Sequence, residues 1–166
     1  MNKALFLDRD GVINVDRGYV YRVEDFVFMP RIFDLLKIAQ RLDYRLIVCT
    51  NQSGIERGYY TLEDFLALNE WMLSEFKSRG ILITAVYHCP HAPQQNCFCR
   101  KPNPGMFLEA IADYAINAAE SFMIGDKPSD IEAARRAGVV NGALIDGNNP
   151  NALLDIIALF KAKVAQ

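Results

Sequence analysis

The sequence predicts an α/β fold in which helices cover both faces of a parallel β-sheet. Short apolar segments alternate along the chain with segments whose apolar residues recur at helical spacing. The short segments, such as ALFL at 4–7 and the LIVC run within RLIVCT at 45–50, are continuously apolar. Continuous hydrophobicity is typical of strands buried on both faces, and the alternation of the two kinds of segment indicates successive parallel βαβ units.

The individual elements can be placed in chain order. Pro30 suits the first turn of the first helix. The stretches TLED (61–64) and SDIE (129–132) resemble capping boxes at the starts of the second and fourth helices, and Gly138 suits the end of the fourth. The second helix is predicted to bury Leu62, Phe65, Leu66, Met72, Leu73 and Phe76. Strands are predicted at 4–7, 45–50, 81–89, 121–125 and 142–145, and helices at 30–42, 61–79, 104–118, 129–138 and 151–163.

Length and composition favour one domain that spans 1–166. The chain has 166 residues, 51% hydrophobic and 23% charged, with a formal net charge of −2. That charge gives no electrostatic footprint for nucleic acid. No apolar run approaches the roughly 20 residues of a membrane helix, and the N-terminal run is too short for a secretory signal. We expect a cytoplasmic monomer that binds neither nucleic acid nor membranes, with cysteines as thiols or metal ligands.

Polar residues cluster directly after the predicted strands. Parallel strands bring these ends to one edge of the sheet, which is where open α/β sheets bind ligands. A single aspartate after a strand would ordinarily be a cap or turn residue, but four such clusters in order favour a functional site. The clusters are DRDG (8–11), TNQSG (50–54), RK (100–101), and GDK (125–127) with Asp130.

This combination of carboxylates, a hydroxyl, amides and a lysine suits phosphoryl transfer. Asp8 and Asp126 offer the oxygen ligands that Mg²⁺ prefers. Asp8 can attack phosphorus and form an aspartyl-phosphate, and Asp10 can protonate the leaving oxygen and later activate water. Lys101 supplies positive charge to the phosphoryl oxygens, and the Thr50 hydroxyl donates a hydrogen bond to them.

Four stretches resemble the motifs of haloacid dehalogenase-type phosphatases: FLDRDGVI, IVCTNQSG, CRKP and MIGDKPSD. The resemblance covers residues 4–145. It implies a Rossmann-like three-layer sandwich without a large cap and Mg²⁺-dependent hydrolysis of phosphomonoesters. By matching position, it makes Asp8 the nucleophile, Asp10 the acid/base, and Thr50 and Lys101 the groups that hold the phosphoryl group. Its Mg²⁺ ligands are Asp8, the Asp10 backbone carbonyl and Asp126.

Within that family, NVDRGYV (14–20), TNQSGIERG (50–58) and NPGM (103–106) resemble the D-glycero-D-manno-heptose 1,7-bisphosphate 7-phosphatases. This resemblance implies hydrolysis of the C7 phosphate of a small phosphorylated sugar, in the synthesis of nucleotide-activated heptose and lipopolysaccharide core. With no large cap, the loops alone must enclose the substrate. The substrate contacts that it implies are Asp16, Arg17, Gly18, Tyr19, Asn51, Gln52, Ser53, Arg100 and Lys127.

The loop CPHAPQQNCFC (89–99) has the composition of a zinc site. Cys89, His91, Cys97 and Cys99 offer three sulfurs and one nitrogen, which form a usual closed tetrahedral set. A closed set leaves no position for substrate, so this zinc is expected to be structural. Since Lys101 follows Cys99 by two residues, the metal would also brace the catalytic cations.

Three functions remain open from the sequence. The first is the heptose bisphosphate phosphatase. The second is a phosphatase for another substrate, such as histidinol phosphate, another small sugar phosphate or a polynucleotide 3′-phosphate. The five-residue spacer APQQN between His91 and Cys97 has about the length found in histidinol-phosphate phosphatases. The third is a non-catalytic, zinc-stabilised phosphate-binding module, which would have no need of the paired carboxylates Asp8 and Asp10.

Overall fold

The computed structural model describes residues 1–166 and confirms a parallel sheet covered by helices. No helix is both long and apolar enough to span a bilayer. Short 3₁₀ helices lie in loops at Val23–Asp25, Pro93–Gln95 and Ala118–Glu120. The strands are β1 (Lys3–Leu7), β2 (Tyr44–Asn51), β3 (Ile83–Cys89), β4 (Phe122–Gly125) and β5 (Asn141–Leu144), and the helices are α1 (Ile32–Arg41), α2 (Leu62–Ser78), α3 (Gly105–Tyr114), α4 (Pro128–Arg136) and α5 (Leu154–Val164).

Strand β1 occupies the centre of the sheet. The strand order is β3-β2-β1-β4-β5, and every neighbouring pair is parallel. Leu7 at the end of β1 pairs with Val48 of β2 on one side and with Ile124 of β4 on the other. The chain therefore builds outward from β1 in one direction and then returns to build in the other. Such a reversal opens a crevice at the carboxyl ends of the central strands.

The core forms one layer on each face of the sheet. Leu5 and Leu7 of β1 pack with α1, α2 and α5, whereas Ala4 and Phe6 pack with α3 and α4. Successive side chains of a strand point to opposite faces, so a buried central strand must be apolar at every position. This explains why the strand segments of the sequence lack alternation.

Several helix starts and ends differ from the predictions. The structure starts α1 at Ile32, because Arg31 has a left-handed backbone (φ 71°) that separates Pro30 from the helix. Helix α3 ends at Tyr114, four residues early, since Ala115 also adopts a left-handed conformation (φ 50°). Strand β3 begins at Ile83 rather than 81.

The predicted capping box SDIE was wrong, although the capping box TLED is confirmed. Helix α4 begins at Pro128, which suits a first helical position because it has no N–H to satisfy. Asp130 then lies in the first turn, where its carboxylate accepts hydrogen bonds from the backbone N–H groups of Asp126 and Lys127. Gly138, with φ 96°, follows the end of this helix as predicted.

The inward face of α2 was predicted only in part. The buried side chains are Phe65, Leu68, Met72 and Phe76, which form a single stripe at helical spacing. Leu62 and Leu66 were predicted to be buried and are exposed. They lie to one side of the stripe, where the helix faces solvent rather than the sheet. The pattern of apolar residues alone does not show which side of the helix is buried.

The capping box of α2 gives a direct test of local stability. Thr61 Oγ1 accepts a hydrogen bond from Asp64 N at 3.1 Å, and Asp64 Oδ2 accepts one from Thr61 N at 2.9 Å. We expect Thr61→Ala to lower the free energy of unfolding by about 1 kcal/mol, measured by urea denaturation. Thr61→Ser keeps the acceptor oxygen and serves as the control, with stability close to wild type. Equal stability of all three proteins would contradict this assignment.

Candidate active site

A lysine and two aspartates, all buried, meet at the carboxyl end of β1. Asp8 directly follows β1, Lys101 follows the loop after β3, and Asp130 lies in the first turn of α4. Lys101 Nζ lies 3.0 Å from Asp8 Oδ1 and 2.6 Å from Asp130 Oδ1. It also donates to the Cys49 carbonyl oxygen at 2.8 Å. An ammonium group has three N–H donors, so these partners fix its position between β1, β2 and α4.

Burial and charge act in opposite directions on this group of residues. Burial alone would lower the pKa of Lys101, but the carboxylates of Asp8 and Asp130 outweigh it and raise that pKa. Burial raises the pKa of Asp8 well above its ordinary value, the Lys101 ammonium opposes the shift, and nearby carboxylates reinforce it. Lys101 is thus the permanent cation that makes a carboxylate tolerable at position 8.

The backbone around Lys101 is fixed by Asn51 at the end of β2. Asn51 Oδ1 accepts a hydrogen bond from Lys101 N at 3.1 Å, and Asn51 Nδ2 donates to Lys101 O at 3.3 Å. The following bond, Lys101–Pro102, is a cis peptide. Asn51, which was predicted to contact substrate, therefore also links the RK cluster (100–101) to the TNQSG cluster (50–54).

Asp8, Asp126 and Asp130 bring carboxylate oxygens within 4.8 Å of one another. The oxygens of Asp130 are both used, one by Lys101 and the other by the N–H groups of Asp126 and Lys127 at 3.1 and 3.0 Å. Asp126 Oδ1, in contrast, is buried without a hydrogen-bond partner, and burial raises the pKa of Asp126. A buried oxygen without a partner is costly, and a cation coordinated at this point would satisfy it.

Gly11 allows the loop after β1 to pass against Asp126. Its φ is 89°, a left-handed conformation that favours glycine, and a Cβ at this position would lie 2.1 Å from Asp126 Oδ2. Any side chain at position 11 would displace the Asp126 carboxylate. The glycine of the DRDG cluster is therefore required by the site as well as by the turn.

Asp10 is held by three neighbouring side chains. Its Oδ1 accepts hydrogen bonds from Arg9 Nη2 at 2.9 Å and from Asn14 Nδ2 at 3.0 Å, and its Oδ2 accepts one from Gln52 Nε2 at 3.1 Å. Arg9 is itself buried and donates to the Val20 carbonyl oxygen at 2.7 Å. The network therefore fixes the orientation of the Asp10 carboxylate before any ligand binds.

A cleft of about 370 Å³ opens beside these residues, and a smaller cavity of about 50 Å³ shares part of its lining and reaches Asp8 and Asp130. The residues of the cleft are almost all polar, as expected of a site for a charged and hydroxylated ligand. They are Asp10, Asp16, Gly18, Tyr19, Asn51, Gln52, Ser53, Arg57, Tyr60, Arg100, Lys101, Lys127 and Ser129.

All predicted substrate contacts except Arg17 line this cleft. Of the predicted catalytic and Mg²⁺ residues, Asp10 and Lys101 line it and Asp8 lines the smaller cavity, whereas Thr50 and Asp126 line neither. Arg17 is exposed and lies outside the lining, although its neighbours Asp16 and Gly18 belong to it. Thr50 is fully buried; its Oγ1 accepts a hydrogen bond from Gln52 Nε2 at 2.9 Å. The structure therefore brings the four polar clusters together as predicted, with Thr50 behind the cleft surface rather than on it.

Two pairs of tyrosines form the aromatic part of the wall. Tyr19 and Tyr59 meet edge to face with ring centroids 4.7 Å apart, and Tyr21 stacks on Tyr60 at 5.2 Å. Tyr19 has a positive φ of 49°. Of the four tyrosines in these loops, Tyr19 and Tyr60 line the cleft, and the other two support them.

The four predicted zinc ligands form one cluster. Sulfur–sulfur distances are 3.5 Å for Cys89–Cys97 and 3.6 Å for Cys97–Cys99, and His91 Nδ1 lies 3.5 Å from Cys89 Sγ and 3.3 Å from Cys99 Sγ. Zinc–sulfur bonds of about 2.3 Å in a tetrahedron place sulfurs ~3.8 Å apart, which is close to the spacing observed. No disulfide forms among the four cysteines, so the donor atoms fit a tetrahedral metal.

This cysteine–histidine cluster is connected to the active site through the backbone. Arg100 Nη1 donates to the His91 carbonyl oxygen at 3.2 Å, and Asn103 Nδ2 donates to the Cys97 carbonyl oxygen at 2.8 Å. The Gln52 backbone N–H also donates to Cys89 O at 2.7 Å. Hydrogen bonds to the carbonyl oxygens of Cys89, His91 and Cys97 therefore hold the loop that carries Arg100 and Lys101.

Sequence reasoning missed several residues that shape the site. Arg9 stands between the two predicted aspartates, and its position in DRD was a usable signal. Asn14, Arg57 and Ser129 lie within the quoted stretches NVDRGYV, TNQSGIERG and MIGDKPSD, but their contacts with Asp10 and the cleft depend on how the loops fold. The hydrogen bond from Tyr60 to Gln52 likewise forms only in the folded loop.

Comparison with known proteins gives a consistent picture. A family model described as HAD-hydrolase-like matches residues 98–154. A Helicobacter pylori protein named D-glycero-beta-D-manno-heptose-1,7-bisphosphate 7-phosphatase is 53% identical over 148 residues, which cover 89% of this chain and 86% of that protein. A Campylobacter jejuni protein, named as the corresponding alpha-heptose enzyme, is 46% identical over 159 residues, covering 96% and 90%.

Solved structures agree with the sequence relatives. The D,D-heptose 1,7-bisphosphate phosphatase of B. bronchiseptica, solved with magnesium and phosphate, superposes with a TM-score of 0.85 and 27% identity over 98% of both chains. The fold, the polar clusters at the strand ends and the extent of these similarities together place the chain. It belongs to the haloacid dehalogenase-like family of D-glycero-D-manno-heptose-1,7-bisphosphate 7-phosphatases.

Proposed function

We propose that this protein is a Mg²⁺-dependent phosphatase that removes the C7 phosphate from D-glycero-D-manno-heptose 1,7-bisphosphate. The observation that carries the proposal is the set of Asp8, Lys101 and Asp126 at the carboxyl ends of the central strands, beside a polar cavity that Asp8 and Lys101 line. Relatives with 40–53% identity bear the name of this activity. The role in lipopolysaccharide synthesis that the resemblance implies fits the same activity.

We assign the Mg²⁺ site to Asp8, the Asp10 backbone carbonyl and Asp126. Asp130 is less suited, because Lys101 and two backbone N–H groups already use its oxygens. Asp126 Oδ1 has no protein partner, and the Asp10 carbonyl accepts no backbone hydrogen bond. Oxygen ligands of this kind suit Mg²⁺. When bound, the metal offsets repulsion between a carboxylate nucleophile and an anionic phosphate.

Asp8 is assigned as the nucleophile. Both of its hydrogen bonds, from Lys101 Nζ and from Arg9 N, end on Oδ1, so Oδ2 has no protein donor. We infer that this oxygen attacks phosphorus while the bond to the sugar oxygen breaks, which leaves an aspartyl-phosphate. Lys101 holds the reacting carboxylate in place and lies where it can also neutralise charge on the phosphoryl oxygens.

Asp10 is assigned as the general acid and then the general base. It would give its proton to the departing sugar oxygen and later take one from the water that attacks the aspartyl-phosphate. Thr50 would donate its hydroxyl hydrogen to a phosphoryl oxygen in place of its long contact with the Asn51 carbonyl oxygen at 3.5 Å, while its own oxygen accepts a hydrogen bond from Gln52. A non-catalytic binding module would have no use for an Asp10 carboxylate oriented by three side chains at the edge of the cleft.

The cleft suits a sugar that carries a second phosphate. Arg57, Arg100 and Lys127 contribute cationic groups to its lining, and Asp16, Asn51 and Ser53 offer polar partners for hydroxyl groups. The single domain predicted for residues 1–166 has no large cap, so the loops that carry these residues would enclose the substrate.

We also propose that Cys89, His91, Cys97 and Cys99 bind one structural zinc ion. The four donor atoms face one another at distances close to a tetrahedral set. A filled tetrahedron leaves no position for substrate. The function of the ion would be to fix the loop from which Arg100 and Lys101 reach the cleft.

Replacement of the nucleophile tests the mechanism. We expect Asp8→Asn to abolish Mg²⁺-dependent phosphate release, because an amide cannot form the aspartyl-phosphate, while circular dichroism shows an unchanged fold. The matched control is Asp34→Asn, an exposed aspartate on α1, which should retain full activity. Full turnover by Asp8→Asn would rule out this mechanism.

Metal analysis tests the zinc assignment. Chelator-free protein should contain about one zinc per chain, as four-coordinate structural sites require. Cys97→Ser and Cys99→Ser should lose zinc, stability and activity, because the loop holding Lys101 loosens. Cys49→Ala is the control, since Cys49 lies in the core of β2 outside the cluster and the variant should keep its zinc. Well-folded wild-type protein without metal would refute the assignment.

A comparison of substrates tests the identity of the sugar. We expect kcat/KM for heptose 1,7-bisphosphate to exceed that for histidinol phosphate, because the cleft offers cations for a second phosphate that histidinol phosphate lacks. Both anomers of the heptose should be measured, since relatives with 53% and 46% identity are named for the beta and the alpha form respectively. A preference for histidinol phosphate would overturn the proposed substrate.

A further inference from the structure

The side chain of Gln52 joins three groups of the site. Its Nε2 donates to Asp10 Oδ2 at 3.1 Å and to Thr50 Oγ1 at 2.9 Å, and its Oε1 accepts a hydrogen bond from the Tyr60 hydroxyl. Gln52 is only 3% exposed. Both amide N–H donors are therefore used inside the protein, and none is left for a ligand.

The orientation of the Gln52 amide follows from its partners. Asp10 Oδ2 and Thr50 Oγ1 both lie within hydrogen-bond distance of Gln52 Nε2, and an NH₂ group supplies the two donors that these contacts need, so the NH₂ end of the amide faces them. The carbonyl end then faces Tyr60, whose hydroxyl must donate. Burial raises the pKa of Tyr60 to about 12, which keeps that donor proton in place. The same orientation makes Thr50 Oγ1 an acceptor, and the only protein acceptor of the Thr50 hydroxyl hydrogen is the Asn51 carbonyl oxygen, at a long 3.5 Å.

We propose that Gln52, oriented by Tyr60, is a positioning residue for Asp10 and Thr50 rather than a ligand for the sugar. The inference rests on the proposed function and deepens it. It replaces the sequence-based prediction that Gln52 contacts substrate, and it gives Tyr60 a part in the reaction through its hydroxyl group.

The two oxygens of Asp10 are held differently. Oδ1 has two firm donors at 2.9 and 3.0 Å, from Arg9 and Asn14. Oδ2 accepts hydrogen bonds only from Gln52 Nε2 and from Arg9 Nη2, each at 3.1 Å, and Arg9 Nη2 also donates to Oδ1. Removal of the Gln52 N–H would therefore let the carboxylate rotate about its Oδ1 contacts. A general acid that has lost its orientation transfers its proton less well to the departing oxygen.

Tyr60 is fixed in turn by its surroundings. Its ring stacks on Tyr21, and a Cβ at Gly54 would lie 2.1 Å from its Cε1 atom. The glycine of the TNQSG cluster thus provides the space in which the Tyr60 ring reaches Gln52. The path from the cleft wall to Asp10 consists of packed or hydrogen-bonded side chains at every step.

Leaving-group dependence separates this role from the alternatives. Heptose 1,7-bisphosphate has an alkoxide leaving group that must be protonated, whereas p-nitrophenolate departs without a proton. We expect Gln52→Met to lower kcat/KM about 30-fold on the sugar, a part of the 10²–10⁴-fold that general acid catalysis supplies. On p-nitrophenyl phosphate, the loss should be about 5-fold or less, reflecting the Thr50 contact.

Tyr60→Phe removes one hydroxyl and keeps the ring, so it remains informative if Gln52→Met fails to fold. We expect the same selectivity for the sugar substrate with a loss of about 5-fold, the value of one buried hydrogen bond. The matched control is Tyr87→Phe, which also removes a hydroxyl that makes a side-chain hydrogen bond, here to Asp113 outside the site; this variant should match wild type on both substrates. Melting temperatures are recorded for every variant.

Three results would overturn the inference. Equal losses on both substrates would show that Asp10 is unaffected, and a raised KM for the sugar with unchanged kcat would restore Gln52 as a ligand. A lowered melting temperature with wild-type kinetics would show a purely structural role. Wild-type protein that hydrolyses neither substrate would refute the proposed function itself, whereas any of these three results in an active enzyme refutes only the inference.

Discussion

The buried ammonium group of Lys101 is the interaction on which the site depends. It neutralises Asp8 and Asp130 within a region that would otherwise hold a cluster of carboxylates out of water. Breaking such a buried pair typically costs about 3–5 kcal/mol, because the remaining charge has no partner. The same ammonium is bonded to the backbone of β2 at Cys49. One side chain therefore holds the loop after β3 against β1, β2 and α4. The need to neutralise the buried carboxylates thus also fixes the position of this loop.

The position of β1 explains why these distant residues meet. The chain reverses its direction of travel across the sheet at this strand, so the ends of β2 and β4 flank the end of β1. Lys101 belongs to neither neighbour and reaches the site only because the 89–99 loop turns back toward β1. The cysteine–histidine cluster and the paired bonds between Asn51 and Lys101 fix that return. These contacts therefore fix the loop that carries Lys101, which the sheet and helices alone would leave without support.

The catalytic carboxylates and the backbone around them are held by hydrogen bonds to neighbouring residues. Arg9, Asn14 and Gln52 donate to Asp10, and Asp130 binds the backbone around Asp126. Groups held in this way need little reorganisation when charge develops in a transition state, which is a main source of enzymatic rate enhancement. The cleft beside them is polar and wide enough for a phosphorylated sugar, and its aromatic lining consists of Tyr19 and Tyr60.

The sequence by itself determined the fold class, the four polar clusters and the composition of the cysteine–histidine loop. These features follow from local rules: strands buried on both faces must be apolar throughout, and metal and phosphate chemistry needs particular donor atoms. Local rules failed for the start of α4 and for the exposed Leu62 and Leu66, and they did not predict the hydrogen bonds of Arg9, Tyr60 and Gln52. Contacts between segments far apart in the chain decide which face of a helix is buried. They also decide which side chains form hydrogen bonds with one another. Only the tertiary structure decided that both amide hydrogens of Gln52 are used inside the protein, because Asp10, one of the two acceptors, follows β1 and meets the end of β2 only when these two strands pair.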